Sequence, residues 1–265
     1  MTDNKEAYPP HSRTTVKRLP NRGVYDYNTI HSILDSIPIL HVSFNPPTSS
    51  PDEPQFPVVL PMLGSIGNFA NKSQTLNTGP QCIYLHGSSA ARMMRLGSSS
   101  ESQGFPVTVA ATKLDGYVLA LTPFNHSCNY RSAVVNGLAY EVVDEEEKMW
   151  ALTLITEGIV KGRWDGSRVP PTKAEMTATG VLRVEIQTGS AKIREGGPHD
   201  DKKDLRDHAS VERVWTGVVP AWETVGDPVA SETNKVERVP QYLNEWVEEM
   251  RILNEEQAVG AALRD

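Results

Sequence analysis

Gln81–Gly97 reads QCIYLHGSSAARMMRLG, a run that changes character once. Cys82–His86 alternates and carries β-formers, Gly87-Ser88-Ser89 breaks the pattern, and Ala90–Leu96 supplies helix formers with two arginines, Arg92 and Arg95. A strand that turns through Gly-Ser-Ser into a helix points several backbone N–H groups and two hydroxyls at one spot. The positive end of the helix dipole lies there too. Such a turn is suited to an anion, and Arg92, one turn in, adds a guanidinium fork matched to a phosphate. The same residues also describe an ordinary strand–turn–helix with serine caps.

Composition narrows the classes around this stretch. A chain of 265 residues can bury one substantial core, alone or with a small appendage. Nineteen prolines and nineteen glycines favour short strands and turns over a helical bundle. A net charge of −7 argues against a nucleic-acid surface, which needs a basic footprint. No apolar run approaches the roughly 20 residues of a membrane span, and the polar N-terminus lacks the apolar core of a secretory signal. The two cysteines, Cys82 and Cys128, suit reduced thiols of a cytoplasmic protein, and the absence of a C-x-x-C pair argues against structural zinc.

Residues 1–16 are expected to form a flexible polar arm. A helix is expected after Asp26, with Ile30, Ile33, Leu34 and Ile37 on one face, ended by Pro38. Ile39–Phe44 alternates as a strand, 45–56 is a proline-rich loop, and Pro57–Leu63 suits a strand buried on both sides. Pro61, lacking an N–H, marks an irregular point facing a ligand or an edge. Gly97–Gly104 reads as a loop. Pro106–Thr112 and Tyr117–Thr122 read as a hairpin turning at Asp115-Gly116. Tyr130–Val143 is the longest expected strand, with Gly137 as a bulge or bend.

Asp144 and Glu147 form a capping-box-like pair opening a helix, with Asp144–Glu147 taken as a solvated helix start and not a metal site. Lys161–Met176 reads as irregular, Thr177–Ile186 as a strand, 192–212 as a charged loop or short exposed helix, and Val214–Val219 as a short strand stopped by Pro220. A helix over 241–263 packs through Leu243, Trp246, Val247 and Met250. The domain organisation is a 1–16 arm, a 17–222 domain and a 223–265 extension. The expected fold is mainly β, an antiparallel barrel with peripheral helices.

Five fragments in order carry a resemblance: PVVLPM at 57–62, IYLHGSSAARMMRL at 83–96, LDGYVLA at 114–120, NYRSAVVNGLAYEV at 129–142 and VWTGVVP at 214–220. Together they resemble the flavin-nucleotide-binding branch of the pyridoxamine 5′-phosphate oxidase-like split barrels, which includes the 5-nitroimidazole-resistance proteins. The resemblance spans about Arg18 to Trp222. It implies a six-stranded antiparallel Greek-key barrel and a homodimer with FMN at the subunit interface. It also implies that Val59, Leu60, Pro61 and Met62 line the isoalloxazine and that His86 and Gly87 lie beside the ring and ribityl chain. Ser88, Ser89 and Arg92 would hold the phosphate, Tyr130, Arg131 and Ser132 would close the site, and Trp215 would reach the cofactor from the partner subunit. Relatives often place Arg-Lys where this chain has Arg92-Met93, and Arg95 is the nearest substitute cation.

Alternatives stand beside these roles. His86 is a reactive-site residue, as the resemblance implies, or a strand-end histidine bonded to cofactor or backbone. Arg131 contacts the phosphate or pairs with an acidic residue. Tyr130 suits packing more than acid catalysis, and Cys128 suits a buried inert thiol. His126 has no metal-like spacing, and no metal site is expected. The function implied is FMN-dependent hydride or electron transfer to a small organic substrate, nitroaromatics among them, with NAD(P)H as donor. The alternative is a non-catalytic flavin- or haem-binding split-barrel dimer, with His86 or His126 as axial ligand for haem; a deazaflavin is a third option.

Overall fold

The strands and helices follow the apolar patterning closely along most of the chain. The computed structural model describes residues 6–47, 55–99 and 103–264. In chain order the elements are β1 (Gly23–Val24), α1 (Tyr27–Asp35), β2 (Ile39–Phe44), β3 (Val58–Gly67), β4 (Cys82–Ser88), α2 (Arg92–Ser99) and β5 (Phe105–Leu119). Then come β6 (Ser127–Glu141), α3 (Glu145–Ile159), α4 (Lys173–Ala178), β7 (Thr179–Arg194), α5 (His208–Arg213), β8 (Gly217–Pro220) and α6 (Gln241–Leu263). The chain divides into two compact units, 1–111 with 132–191, and 112–131 with 192–265.

The first unit holds the barrel. Strand pairing runs β7-β4-β3-β2-β5-β6 and closes by β6 on β7, a six-stranded antiparallel barrel. Leu40, Val42, Ile83, Leu85, Val109, Val135 and Val184 point inward and are buried. Asp26 caps α1 by accepting the Thr29 N–H at 2.8 Å, a contact worth about 1 kcal/mol. Ile30, Ile33 and Leu34 of that helix are buried, as their spacing predicts.

Within the expected N-terminal arm, residues 1–5 lie outside the described residues, as do 48–54 of the proline-rich loop and 100–102 of the following one. Tyr8 is buried, and its hydroxyl meets Nε2 of the fully buried His31 at 2.7 Å. The other ring nitrogen, Nδ1, faces the Leu76 carbonyl at 2.6 Å. A carbonyl only accepts, so Nδ1 carries the proton, Nε2 accepts from Tyr8, and His31 is neutral. Burial, the largest cause, lowers the His31 pKa. The unfolded chain therefore binds a proton that the folded chain refuses. The stability this contributes is complete above the ordinary value of about 6.5 and is lost as the pH falls from there through the lowered folded value. Thermal melts from about pH 8 down to pH 5 should show a steeper decline for wild type than for His31→Gln; parallel declines would remove His31 as the cause.

Several expectations are corrected. Asp115-Gly116 is not a turn, because Phe105–Leu119 runs as one strand. Asp115 is buried and takes both oxygens to Arg131, at 2.8 and 2.9 Å, so burial of that pair overrides the local turn propensity. Gly116 pairs with Pro220 of β8; a Cβ there would stand 3.0 Å from the Val219 carbonyl oxygen. Pro220 thus belongs to the last strand instead of stopping it. Gly137 lies inside an unbroken strand and marks a close approach of two strands, not a bulge.

Strand β3 is not buried on both sides: Val59 is 55% exposed and Pro61 is exposed, while Leu60 and Met62 turn inward. Glu147 is not solvated; it is buried against Tyr84 and Arg183. The segment read as irregular ends in α4, opened by a complete capping box between Thr172 and Glu175. Strand β7 continues to Arg194, well past Ile186, so the charged 192–212 segment begins in a strand and ends in the short α5.

In the second unit, α6 spans Gln241–Leu263 as its spacing predicts, with Val247, Ala258 and Ala261 buried. Arg194, also buried, donates to Asn129 and to the Gly196 and Gly197 carbonyls. Asn129 in turn donates to the carbonyls of Gly196 and Ala261, which ties the end of α6 to this unit's strands.

Candidate functional site

The barrel opens where β4 leaves β3. Pairing between them is confined to Gly64–Gly67 against Cys82–Leu85, while β4 stays paired with β7 through Ser88. Val58–Leu63 therefore has β2 along one edge and no ladder to β4 along the other. Pro61 sits in this stretch, opposite His41 of β2, where its missing N–H costs no strand bond on the open edge.

Across the opening stands the turn from β4 into α2. Met62 and Gly87 meet here: the Met62 methyl lies 3.9 Å, and the Met94 methyl 3.1 Å, from where a side chain at Gly87 would begin. Glycine keeps that approach open. Ser88 and Ser89 are exposed; the Ser89 N–H bonds the Ala178 carbonyl, and the Ser88 hydroxyl accepts the Ala90 N–H at 3.3 Å. Arg92 is exposed at the first position of α2, touching the Pro47 carbonyl at 3.4 Å, and Arg95 is exposed one turn on.

Met93 is only 1% exposed. A lysine there would place an ammonium in the core, so the apolar residue fits the packing and leaves the charge to Arg92 and Arg95. His86 is half-buried, with its pKa lowered by that burial, so it is neutral near pH 7; it has no hydrogen-bond partner among the described residues.

Val59–Met62, His86–Ser89 and Arg92 therefore lie together around one opening in the first unit. The other residues named from sequence are placed differently. Ser132 follows in β6. Arg131, in the second unit, is paired with Asp115, the acidic partner of its two alternatives. Tyr130 is half-buried in the same unit. Trp215 is 64% exposed, its ring folded over Gly217. The Cys82 thiol is pushed up to about 11 by burial, which keeps it protonated and unreactive at neutral pH. Nδ1 of His126 accepts the Ala120 N–H at 2.9 Å.

Sequence reasoning missed the Tyr84–Glu147–Arg183 cluster beside this strand. Its only local signal was Glu147 at the third helical position after an Asp cap, a position also common on exposed helices.

A family model described as pyridoxamine 5′-phosphate oxidase matches residues 26–193, more than half of the chain. The chain belongs to this family. Among solved structures, this pyridoxamine 5′-phosphate oxidase-like chain is similar to the flavocytochrome Anf3 from Azotobacter vinelandii. The identity is 30%, over 90% of this chain and 98% of that one, with a TM-score of 0.71. It is also similar to an FAD- and haem-binding protein from Mycobacterium smegmatis, at 25% identity over 85% and 97% of the two chains, with a TM-score of 0.67. Both likenesses cover more of the chain than residues 26–193, so they extend beyond the family's shared region. No curated protein matches the chain. Among the described residues no helix is long and apolar enough to cross a membrane.

Proposed function

We propose that this protein is a flavin-binding redox protein that holds a flavin nucleotide in the opening between β3 and β4. The observation that carries the reading is the unpaired edge of Val58–Leu63 facing a turn with two exposed serines and Arg92. The residues fit the group. Backbone N–H and C=O groups on a free strand edge match the polar rim of an isoalloxazine. The α2 N-terminus with Ser88, Ser89 and Arg92 matches its phosphate. Two flavin-binding relatives that cover most of the chain support the same reading.

When bound, the flavin supplies the hydride and electron chemistry. The chain's part is to hold and orient it. Leu60 and Met62 present an apolar wall, the serine hydroxyls and Arg92 fix the phosphate end, and neutral His86 stands beside the ring without adding charge. FMN and FAD share the isoalloxazine, the ribityl chain and the first phosphate, so this site accepts the common part of both. We extend the proposal to a homodimer, in which exposed Trp215 reaches the partner's flavin, and to reduction of small organic acceptors, nitroaromatics included, at the expense of NAD(P)H. The exposed Ile39 and Val59 on the outer β2–β3 face support an interface there.

A second reading adds haem, favoured by the names of the two relatives, one an FAD- and haem-binding protein and the other a flavocytochrome. Of the two histidines considered, His126 is poorly suited. Its Nδ1 accepts an N–H, so its Nε2 holds the ring proton. His86 is neutral and unpartnered among the described residues, which suits an axial ligand.

A visible spectrum and chromatography of the released cofactor test both readings. Wild type is expected to be yellow and to release FMN or FAD, and Arg92→Ala to bind the flavin about tenfold more weakly, the loss of one charged phosphate contact. A Soret band that disappears in His86→Ala would establish the haem. Protein that takes up neither added FMN nor added FAD overturns the flavin proposal. Light scattering decides the dimer, and NAD(P)H oxidation with nitroaromatic or quinone acceptors decides the activity.

A further inference from the structure

The second unit contains a cavity of about 300 Å³ that the flavin reading does not use. Its lining includes Lys113, Asp115, Tyr117, Arg131, Trp222 and Asn254. Two cations thus share one small hollow, and each has donors to spare. Lys113 is half-buried and its Nζ donates to Asn254 Oδ1 at 3.1 Å, leaving two of its three N–H groups without an acceptor among the described residues. Asn254 is itself fixed, its amide donating to the Glu223 carbonyl at 2.9 Å. Arg131 spends Nε and Nη2 on Asp115, which locks the guanidinium in one orientation and leaves Nη1 over.

One of the two carboxylates lining the cavity is already committed, and the other, Glu223, stands at its exposed rim. Both Asp115 oxygens go to Arg131, and the Glu223 carboxylate is exposed, where solvent screens it. The spare N–H groups of Lys113 and Arg131 therefore outnumber the acceptors within the hollow, and neither is hydrogen-bonded to the Glu223 carboxylate among the described residues. Burial first, and then the neighbouring Arg131, lower the Lys113 pKa in spite of the opposing pull of Glu223 and Asp115, a balance that a bound anion would shift back. Two aromatic side chains also line it: Tyr117 is 50% and Trp222 40% exposed, a large apolar area to leave in water beside a cavity.

We propose that this cavity is a second ligand site, taking a small planar aromatic carboxylate. Lys113 and the free edge of Arg131 bind the carboxylate, and Tyr117 and Trp222 flank the ring. A volume of about 300 Å³ lies at the small end of ligand pockets, which limits the occupant to one or two rings and excludes an isoalloxazine nucleotide.

The test uses the full-length protein as purified, titrated with salicylate and with 2-naphthoate, followed by calorimetry and tryptophan fluorescence. Cyclohexanecarboxylate and inorganic phosphate serve as controls for the ring and the charge. Saturable 1:1 binding of the aryl carboxylates is expected, at least tenfold tighter than either control. Lys113→Gln should weaken it at least tenfold, and Trp222→Leu should abolish the fluorescence response and weaken binding several-fold. If Lys113→Gln does not fold, as judged by circular dichroism, Trp222→Leu alone decides. Flavin content is measured on every sample, so a protein without flavin that still binds the aryl carboxylates upholds this site and overturns only the other. No saturable binding of either aryl acid, or binding unchanged in the folded variants, overturns the proposal.

Discussion

Gly137→Ala is expected to destabilise the protein by about 3 kcal/mol and to lower its melting temperature by roughly 6–12 °C. A Cβ at position 137 would stand 2.3 Å from the Glu185 carbonyl oxygen and 2.9 Å from its carbonyl carbon. Both atoms are backbone of β7, so no side chain can swing aside. Relief requires β6 and β7 to separate where the barrel closes, and that sacrifices ladder hydrogen bonds worth about 1 kcal/mol each. Val184 Cγ1, 3.1 Å from the same point, blocks the remaining direction. Thermal and urea melts measure the effect. A Gly137→Ala protein melting within about 2 °C of wild type would show that the strands can part without cost.

Glu147→Ala is expected to cost about 3 kcal/mol, because it strands two donors at once. Glu147 is 7% exposed and accepts the Tyr84 hydroxyl at 2.8 Å and Arg183 Nη1 at 2.9 and 3.0 Å. Tyr84 is fully buried. Its pKa is raised far above the ordinary tyrosine value, by burial first and then by the Glu147 contact, so the hydroxyl stays a donor at any working pH. Without Glu147 that O–H has no acceptor among the described residues. Arg183 keeps Glu185 at 3.1 Å and some solvent, which holds its share of the loss to the lower end of the range.

Replacing the charged pair together, Glu147→Leu with Arg183→Met, should recover much of that cost, since two apolar side chains leave no charge to desolvate. Urea denaturation of the two single variants and the double variant forms a cycle whose coupling energy reads the pair directly. A Glu147→Ala protein within about 0.5 kcal/mol of wild type, with no coupling to Arg183, would reduce the cluster to surface decoration.

The two predictions bear on the site as well as on the barrel. Tyr84 and His86 lie two residues apart on β4, and the Tyr84 ring packs edge-on against Trp150 of α3 at 5.2 Å between centroids. The strand that ends at the proposed flavin opening is thereby anchored from behind. Loss of Glu147 is accordingly expected to loosen flavin binding along with stability, whereas Arg92→Ala should affect binding alone.

Much of this was legible in the residues themselves. Asp26 before an i, i+3, i+4 apolar face sets α1, Leu40, Val42 and Phe44 set β2, and the 241–263 periodicity sets α6, because each signal is complete within one element. The Gly87-Ser88-Ser89 turn with Arg92 was legible for the same reason: a helix start and its polar neighbours are local in sequence.

Tertiary structure alone decided the rest. Asp115-Gly116 has strong turn propensity, yet Arg131, sixteen residues on, buries the aspartate and keeps β5 straight. Glu147 looks like any acidic first-turn residue until Arg183 arrives from β7, thirty-six residues away. Position 93 takes an apolar residue because it faces the core, and the open edge of β3 exists because β4 loses its pairing with β3 after Leu85 while it stays paired with β7. Propensity and capping are energies of a few tenths to about 1 kcal/mol set by near neighbours. Burying a charge or closing a barrel involves several kcal/mol, and its sign depends on groups that sequence proximity does not bring together.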